Sequence, residues 1–407
     1  MYHTRLYTLR KRLSTVPRNI VKWLPAIVVP VVVVAGVIVL PLQAGAASPL
    51  PDRSAKQVLL MIANSAGTDF SGTVQSTSDL GLPALSLSSG MSQSMIDSMS
   101  ASVPKGMEDF VPKGASSSAL TTALGLVSGS HSARVFVDSS KVAGDPQKVR
   151  IQLEDKLGER NLVSNGTDVW SYDFQTNTAT HAAVPADLAT SLKSKLSGIN
   201  AAVGVDVSNP SELAKELLDR ADPSTKISVG TDRTVAGRSA YSLVLTPKSS
   251  STLVASVTID VDSQTGLPLE VTVLAKGQKS PAVQVGFSAV EFSTPDANVF
   301  TFTPPVGATV VEQKLPQGTA TGEKKTLSST VADIPTVTGA GWGSIAEFAA
   351  TSVPKEISDN ALLAQIATKV SGGRALSTSL VNVFIATDGR AFVGSVPLAQ
   401  LQAAAGK

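Results

Sequence analysis

Four consecutive stretches, Ser239 to Thr246, Val254 to Asp262, Leu267 to Ala275 and Ala282 to Phe292, alternate apolar and polar side chains at period two. That period belongs to the β-strand, whose successive side chains leave on opposite faces. The connections are short, and Gln264-Thr265-Gly266 has the chemistry of a tight turn. Strands joined this way are antiparallel neighbours. A chain with this pattern is committed to a sheet whose apolar face must be covered. Phe70 to Thr77 reads as the first strand, and Ala133 to Asp173 adds more. Val135 and Val137 share one face there, Val149, Ile151 and Leu153 alternate with Lys148, Arg150, Gln152 and Glu154, and Val169-Trp170-Ser171-Tyr172 follows an Asn165-Gly166 turn. Pro304-Pro305 closes the sheet. Aromatic residues make up only 4% of the chain, so the faces are aliphatic rather than ring-lined.

Helices to cover that face are few. Ser54-Ala55-Lys56-Gln57 matches a capping box, and Ala55, Val58, Leu59, Ile62 and Ala63 follow at helical spacing, which predicts about three turns. A second helix begins after Pro185, carries Leu188, Leu192 and Leu196, and stops at Gly198. A third has Asn209 as N-cap and Pro210 and Glu212 in its first turn, and ends near Asp222-Pro223. Between the first two strands, residues 78–130 form a Ser/Met-rich segment with almost no charge, and Met91, Met95 and Met99 fall four apart. It reads as a flexible insertion, or as a pliable apolar flap, since methionine adapts to irregular partners.

Ahead of the sheet stands a basic head, residues 1–23, with Arg5, Arg10, Lys11, Arg12, Arg18 and Lys22 and no acidic residue before Asp52. The unbroken apolar run Leu24–Leu42 follows. At ~1.5 Å per residue it spans roughly 28 Å, close to the ~30 Å hydrocarbon core of a bilayer. Basic residues on its leading flank place that flank in the cytoplasm. The expectation is a single-pass anchor in the cell membrane, N-terminus cytoplasmic and bulk extracytoplasmic. The alternative is a signal peptide cleaved near Ala46, where Ala44-Gly45-Ala46 offers an A-x-A site.

Several functions are excluded by what the chain carries. Its net charge is +2, and without the six basic side chains of the head the remainder is about four charges negative, so nucleic acid is not a partner. Cysteine is absent, which excludes disulfides, thiolate catalysis, zinc–thiolate sites and a lipid-modified cysteine. Three histidines, His3, His131 and His181, show no metal-ligand spacing, and the last two read as surface imidazoles. Ser352-Val353-Pro354-Lys355 fits S-x-x-K with Ser358-Asp359-Asn360 close behind, but the two are too near each other and no K-T-G follows. Gly339, Gly341 and Gly343 lack the strand–glycine–helix context of a phosphate loop. Asp232, Asp260 and Asp262 read as solvated strand or turn residues. No catalytic residue, metal or cofactor is expected, and the chain does not read as an enzyme.

The chain ends in a smaller unit. Residues 313–335 form a polar linker, and residues 336–407 an α+β subdomain docked on the main one. In it, Ser358 opens a helix bearing Leu362, Leu363, Ile366 and Val370 that stops at Gly372-Gly373. Asp388-Gly389 turns a hairpin between Leu380–Thr387 and Arg390–Val396, and a last helix starts at Pro397.

A sheet covered by only two or three helices encloses either a dry core or an apolar hollow between the two layers, and for a hollow the lack of placed polar groups points to an acyl chain as its content. Strand parity selects Trp170, Tyr172, Ile259, Val271, Val285 and Phe287 as its lining, with Met91, Met95 and Met99 on the flap. Phe70-Ser71-Gly72-Thr73-Val74, Leu80-Gly81-Leu82-Pro83, Gly129 to Val135, Asn165 to Tyr172, Val235 to Tyr241, Thr265 to Leu269 and Phe300 to Ala308 together resemble the LolA/LppX/RseB superfamily in its actinobacterial form. The resemblance covers residues 54–312. It implies an α+β fold, a curved antiparallel half-barrel of about eleven strands over two or three helices. It also implies one of two roles: carriage of lipid or lipoprotein acyl chains at the cytoplasmic membrane, or an RseB-like sensor of envelope stress. The corresponding partner would be a transporter or an anti-sigma factor. The anchor, the Ser/Met insertion and the C-terminal subdomain exceed a plain carrier.

Overall fold

The structure is a computed structural model that describes residues 50–81, 129–139, 147–155, 158–184, 223–313, 335–352 and 367–406. The apolar run, Met91, Met95 and Met99, the two helices expected after Pro185 and at Asn209, and most of the linker lie outside them.

The helix α1 (Ala55–Asn64) forms where the capping box places it. Ser54 accepts from the Gln57 N–H, Gln57 reaches back to the Ser54 N–H, and Val58 is fully buried. Thirteen strands follow: β1 (Phe70–Ser78), β2 (Gly129–Asp138), β3 (Lys148–Asp155), β4 (Gly158–Ser164), β5 (Asp168–Asp173), β6 (Thr178–Ala183), β7 (Thr225–Val229), β8 (Arg233–Val235), β9 (Arg238–Pro247), β10 (Val254–Asp262), β11 (Pro268–Ala275), β12 (Val283–Glu291) and β13 (Thr309–Glu312). They make one large sheet in the order β13-β6-β5-β4-β3-β2-β1-β12-β11-β10-β9-β7, with β8 paired to β9 off this path. The first strand therefore sits in the middle, bonded to β2 on one side and to β12 on the other.

Two expectations about this sheet are corrected. The Pro304-Pro305 segment does not close it, because the chain returns and lays β13 parallel to β6. The sheet is thus mixed, with more strands than the eleven expected, and among its described neighbours a single helix packs on it.

A second, six-stranded sheet has the order β14-β15-β19-β18-β17-β16. Its strands are β14 (Thr336–Thr338), β15 (Ile345–Phe348), β16 (Thr368–Val370), β17 (Gly373–Ser377), β18 (Asn382–Ala386) and β19 (Ala391–Gly394), and α2 (Leu398–Ala405) closes the unit. Phe384, Phe392, Val396 and Leu401 form its core. Val370 lies in a strand, not at the end of a helix. Gly372 (φ 80°) turns β16 into β17, and a Cβ on Gly373 would stand 2.0 Å from the Ile385 carbonyl oxygen. The glycine pair serves a hairpin and a close strand approach rather than a helix stop. Among the described residues, no helix is long and apolar enough to cross a membrane.

Candidate binding face of the large sheet

Residues that are direct partners in an antiparallel ladder share a face, so the registers sort rows of side chains between the two faces of the large sheet. Leu243, Ile259, Val271, Val285, Ser76 and His131 are successive partners across six strands. This is the face that α1 covers: Val58 packs with Tyr241, Leu243 and Val261, and Ile259 joins them. Four residues from Ser76 on β1, Gly72 begins a second row on the same face, Gly72-Val135-Ile151-Leu162. Val135 and Ile151 are half-buried and Leu162 is 41% exposed. An apolar strip thus runs from β10 to β4, closely packed at one end and open at the other.

Three of the expected lining residues, Ile259, Val271 and Val285, are neighbours in this strip. They also pack against the buried group that contains Val257, Val273, Trp342 and Leu380, so the second sheet helps to cover them. Phe287 stands where the β1–β12 register shifts. Its ring lies edge-on to Phe70, with centroids 5.7 Å apart, and packs with Val235, Ala240 and Leu269. Gly72 makes room for that ring, since a Cβ there would meet Phe287 Cδ1 at 2.8 Å.

Trp170 and Tyr172 are not in the strip. Their ladder partners lead through Arg150 and Gln152 to Ser71 and Thr73 on β1, which point away from Ser76. Both rings instead pack under Phe302, at 5.5 and 5.8 Å, and the Tyr172 hydroxyl donates to Asn177 at 2.9 Å. The returning segment before β13 covers them.

This opposite face holds charged groups that the sequence reading placed in solvent. Asp260 and Asp262 are fully buried and Glu270 is 4% exposed. Arg233, on β8, donates to Asp260 at 2.6 Å and to Glu270 at 3.0 Å, and the Ser242 hydroxyl donates to Asp260 as well. Arg238 clasps Asp262, which also accepts from the Thr265 N–H at 2.7 Å and the Gln264 N–H at 3.0 Å. Burial pushes the Asp260 carboxyl above the usual carboxylate range, against the Ser242 hydrogen bond and the Arg233 charge. Burial acts on Asp262 too, but the hydrogen bonds from Arg238 and the turn outweigh it and hold that carboxyl below the range. Alternation made both aspartates look solvated. The signal missed was the pair Arg233 and Arg238 flanking the β8–β9 turn, placed to fold over two acids on one strand face.

The histidines are corrected likewise. His131 is buried in β2, 6% exposed. His181 lies in β6 with Nδ1 2.8 Å from Glu312 and Nε2 3.0 Å from Asp168, its ring stacked on Trp170 at 4.2 Å. Among the described residues, no group of three His, Asp or Glu could hold a metal. Ser352 ends a short 3₁₀ turn, and its motif partners Lys355 and Ser358 lie outside the described residues.

The family model described as "Predicted periplasmic protein (DUF2092)" matches residues 115–313. No curated protein matches the chain. Among solved structures, the Pseudomonas aeruginosa MucA/MucB complex matches at 13% identity over 86% of this chain and 96% of that one, with a TM-score of 0.40. An uncharacterized conserved protein from Thermus thermophilus matches at 12% identity over 64% and 99%, TM-score 0.31. A LolA superfamily protein from Nitrosomonas europaea matches at 8% identity over 62% and 99%, TM-score 0.20.

Proposed function

We propose that the protein is a non-enzymatic, extracytoplasmic binding protein that holds acyl chains of lipids or lipoproteins, anchored at the outer face of the cytoplasmic membrane by residues 24–42. The observation that carries this reading is the apolar strip from Ile259, Val271 and Val285 to Val135, Ile151 and Leu162, whose far end is only half covered. In this reading the sheet curves around that strip as a half-barrel, and the adaptable methionines Met91, Met95 and Met99 of the Ser/Met-rich segment serve as its flap. Each buried CH₂ contributes ~0.8 kcal/mol, so a dozen carbons bind without a specific hydrogen bond. The extracytoplasmic placement is supported by the basic head and by the periplasmic description of the matching family model.

The test is native mass spectrometry of the full chain after mild extraction. Added mass corresponding to lipid is expected on the native protein and is expected to fall severalfold in Ile151→Arg/Leu162→Arg. A native protein without added mass at any detergent level overturns the reading. A second reading, an RseB-like regulator, is favoured by the independently cored second sheet. For that reading, an anti-sigma factor would be recovered by crosslinking to the full chain and lost when residues 336–407 are removed.

A further inference from the structure

The chain enters the large sheet at one end, and the second sheet is attached at the other. At the entry, the Leu50 N–H donates to Asp232 at 2.9 Å and the Tyr241 hydroxyl donates to the Pro51 carbonyl at 3.0 Å. Arg53 donates to the Tyr241 hydroxyl at 3.3 Å, with its guanidinium 5.8 Å from the ring centre. The helix that follows is fixed too, because Met61 rests directly on Gly266 in the β10–β11 turn. Asp232, Tyr241 and Gly266 all belong to the end where β9 begins and β10 finishes. At the opposite end, Trp342 Nε1 donates to Thr225, the ladder partner of Pro247, at 2.8 Å. The Leu253 N–H donates to Ser395 there, and the Ser379 N–H to Leu80.

Two lengths turn this into an orientation. The ten residues of β9 separate the two ends by about 30 Å at ~3.4 Å per residue. Only seven residues, 43–49, lie between the apolar run and the pinned Leu50, a reach of at most about 25 Å fully extended. That tether is too short for the molecule to stand on its far end, which would lift Leu50 about 30 Å from the surface where the run emerges.

We propose that the entry end of the large sheet, with the 230–232 and 263–266 turns, is a surface that faces the phospholipid leaflet, and that the second sheet stands on the far side, away from it. This inference rests on the membrane anchorage proposed above. The row Gly72-Val135-Ile151-Leu162 lies four residues nearer that leaflet-facing end than the row the second sheet covers.

The native chain has no cysteine, so one introduced thiol labels one place. The full chain is reconstituted in phosphatidylcholine vesicles containing a headgroup-linked fluorescent acceptor. Donors are placed on the exposed positions Thr231→Cys and Gln264→Cys at the entry end, and on Lys279→Cys and Val381→Cys at the far end. Severalfold more energy transfer is expected from the first pair, and a long Gly/Ser insertion between Ala46 and Ala47 should erase the difference. Equal transfer from both ends, or more from the far end, overturns the orientation while leaving acyl-chain binding to its own mass measurement. A chain that fails to float with the vesicles overturns the anchorage and the orientation together.

Discussion

His181 stands between two carboxylates from different strands, and its charge adds to the backbone ladder that holds β13 on β6. Hydrogen bonding to Asp168 pushes the imidazole above its ordinary value, with Glu312 adding to it against the cost of burial. Thr167 and His181 together hold the Asp168 carboxyl below the usual range. A group that binds its proton more tightly when folded gives its full stabilisation below its unfolded pKa and loses it as pH rises through the raised folded value. Asp168 behaves oppositely, contributing fully above its unfolded pKa and losing that only in acid. The pair is therefore strongest in mildly acidic solution. Glu312 is 68% exposed, so the effect is modest. Urea unfolding should show stability falling by about 1 kcal/mol or less between about pH 6 and about pH 8, and His181→Gln should flatten that slope. An unchanged slope in the variant would show that other groups produce it. None of this was legible in the sequence, because β13 pairs with β6 across more than a hundred residues and carries only four residues of pattern. The buried aspartates escaped notice for a related reason: period two gives a side chain's face but not what covers that face.

At the scale of elements, the parts that were legible are those whose signals are local. The helix Ala55–Asn64 follows from its capping box, and the β10–β11 and β18–β19 turns follow from Gly266 (φ 76°) and Gly389 (φ 88°). The run Val254 to Phe292 was readable because each strand is long enough to show its period and each turn short enough to fix its neighbour. Parity alone could not join the two halves of the sheet: the register shift between Thr73 and Val74 lies between them, and strand parity there says nothing about which face Trp170 shares with Ile259. The helix and the β10–β11 turn also depend on each other. A Cβ on Gly266 would lie 2.2 Å from the Met61 carbonyl oxygen, and the residue is already in the left-handed region. Gly266→Ala should therefore cost about 2 kcal/mol or more, combining the left-handed penalty with displacement of the helix. Ser54→Ala removes only the cap and should cost about 1 kcal/mol. Denaturant midpoints of the two variants would rank them, and a Gly266→Ala protein as stable as the native one would mean that the helix does not rest on this turn.

For the whole molecule, the question is whether the two sheets behave as one body. Their contact is buried rather than wet: Trp342 is 5% exposed and shares a core with Val254, Val257, Val273 and Val283 of the large sheet. Its indole N–H finds a buried partner in Thr225, and Gly341 beside it leaves room for Ser224, which a Cβ would approach to 2.7 Å. A small unit with its own core gains much of its stability from such a seat. Trp342→Ala empties the joint and should cost about 3–5 kcal/mol. Because that loss falls at the contact and not inside either core, its form matters as much as its size. Calorimetry of the native chain should give one cooperative transition, and of Trp342→Ala two, the lower belonging to residues 336–406. Trp342→Phe keeps most of the packing and loses the hydrogen bond to Thr225, so it should stay a single transition lowered by about 1 kcal/mol. If Trp342→Ala instead melts in one unchanged step, the hydrogen bonds at Ser395 and Leu80 suffice to couple the sheets, and the indole is only filling space.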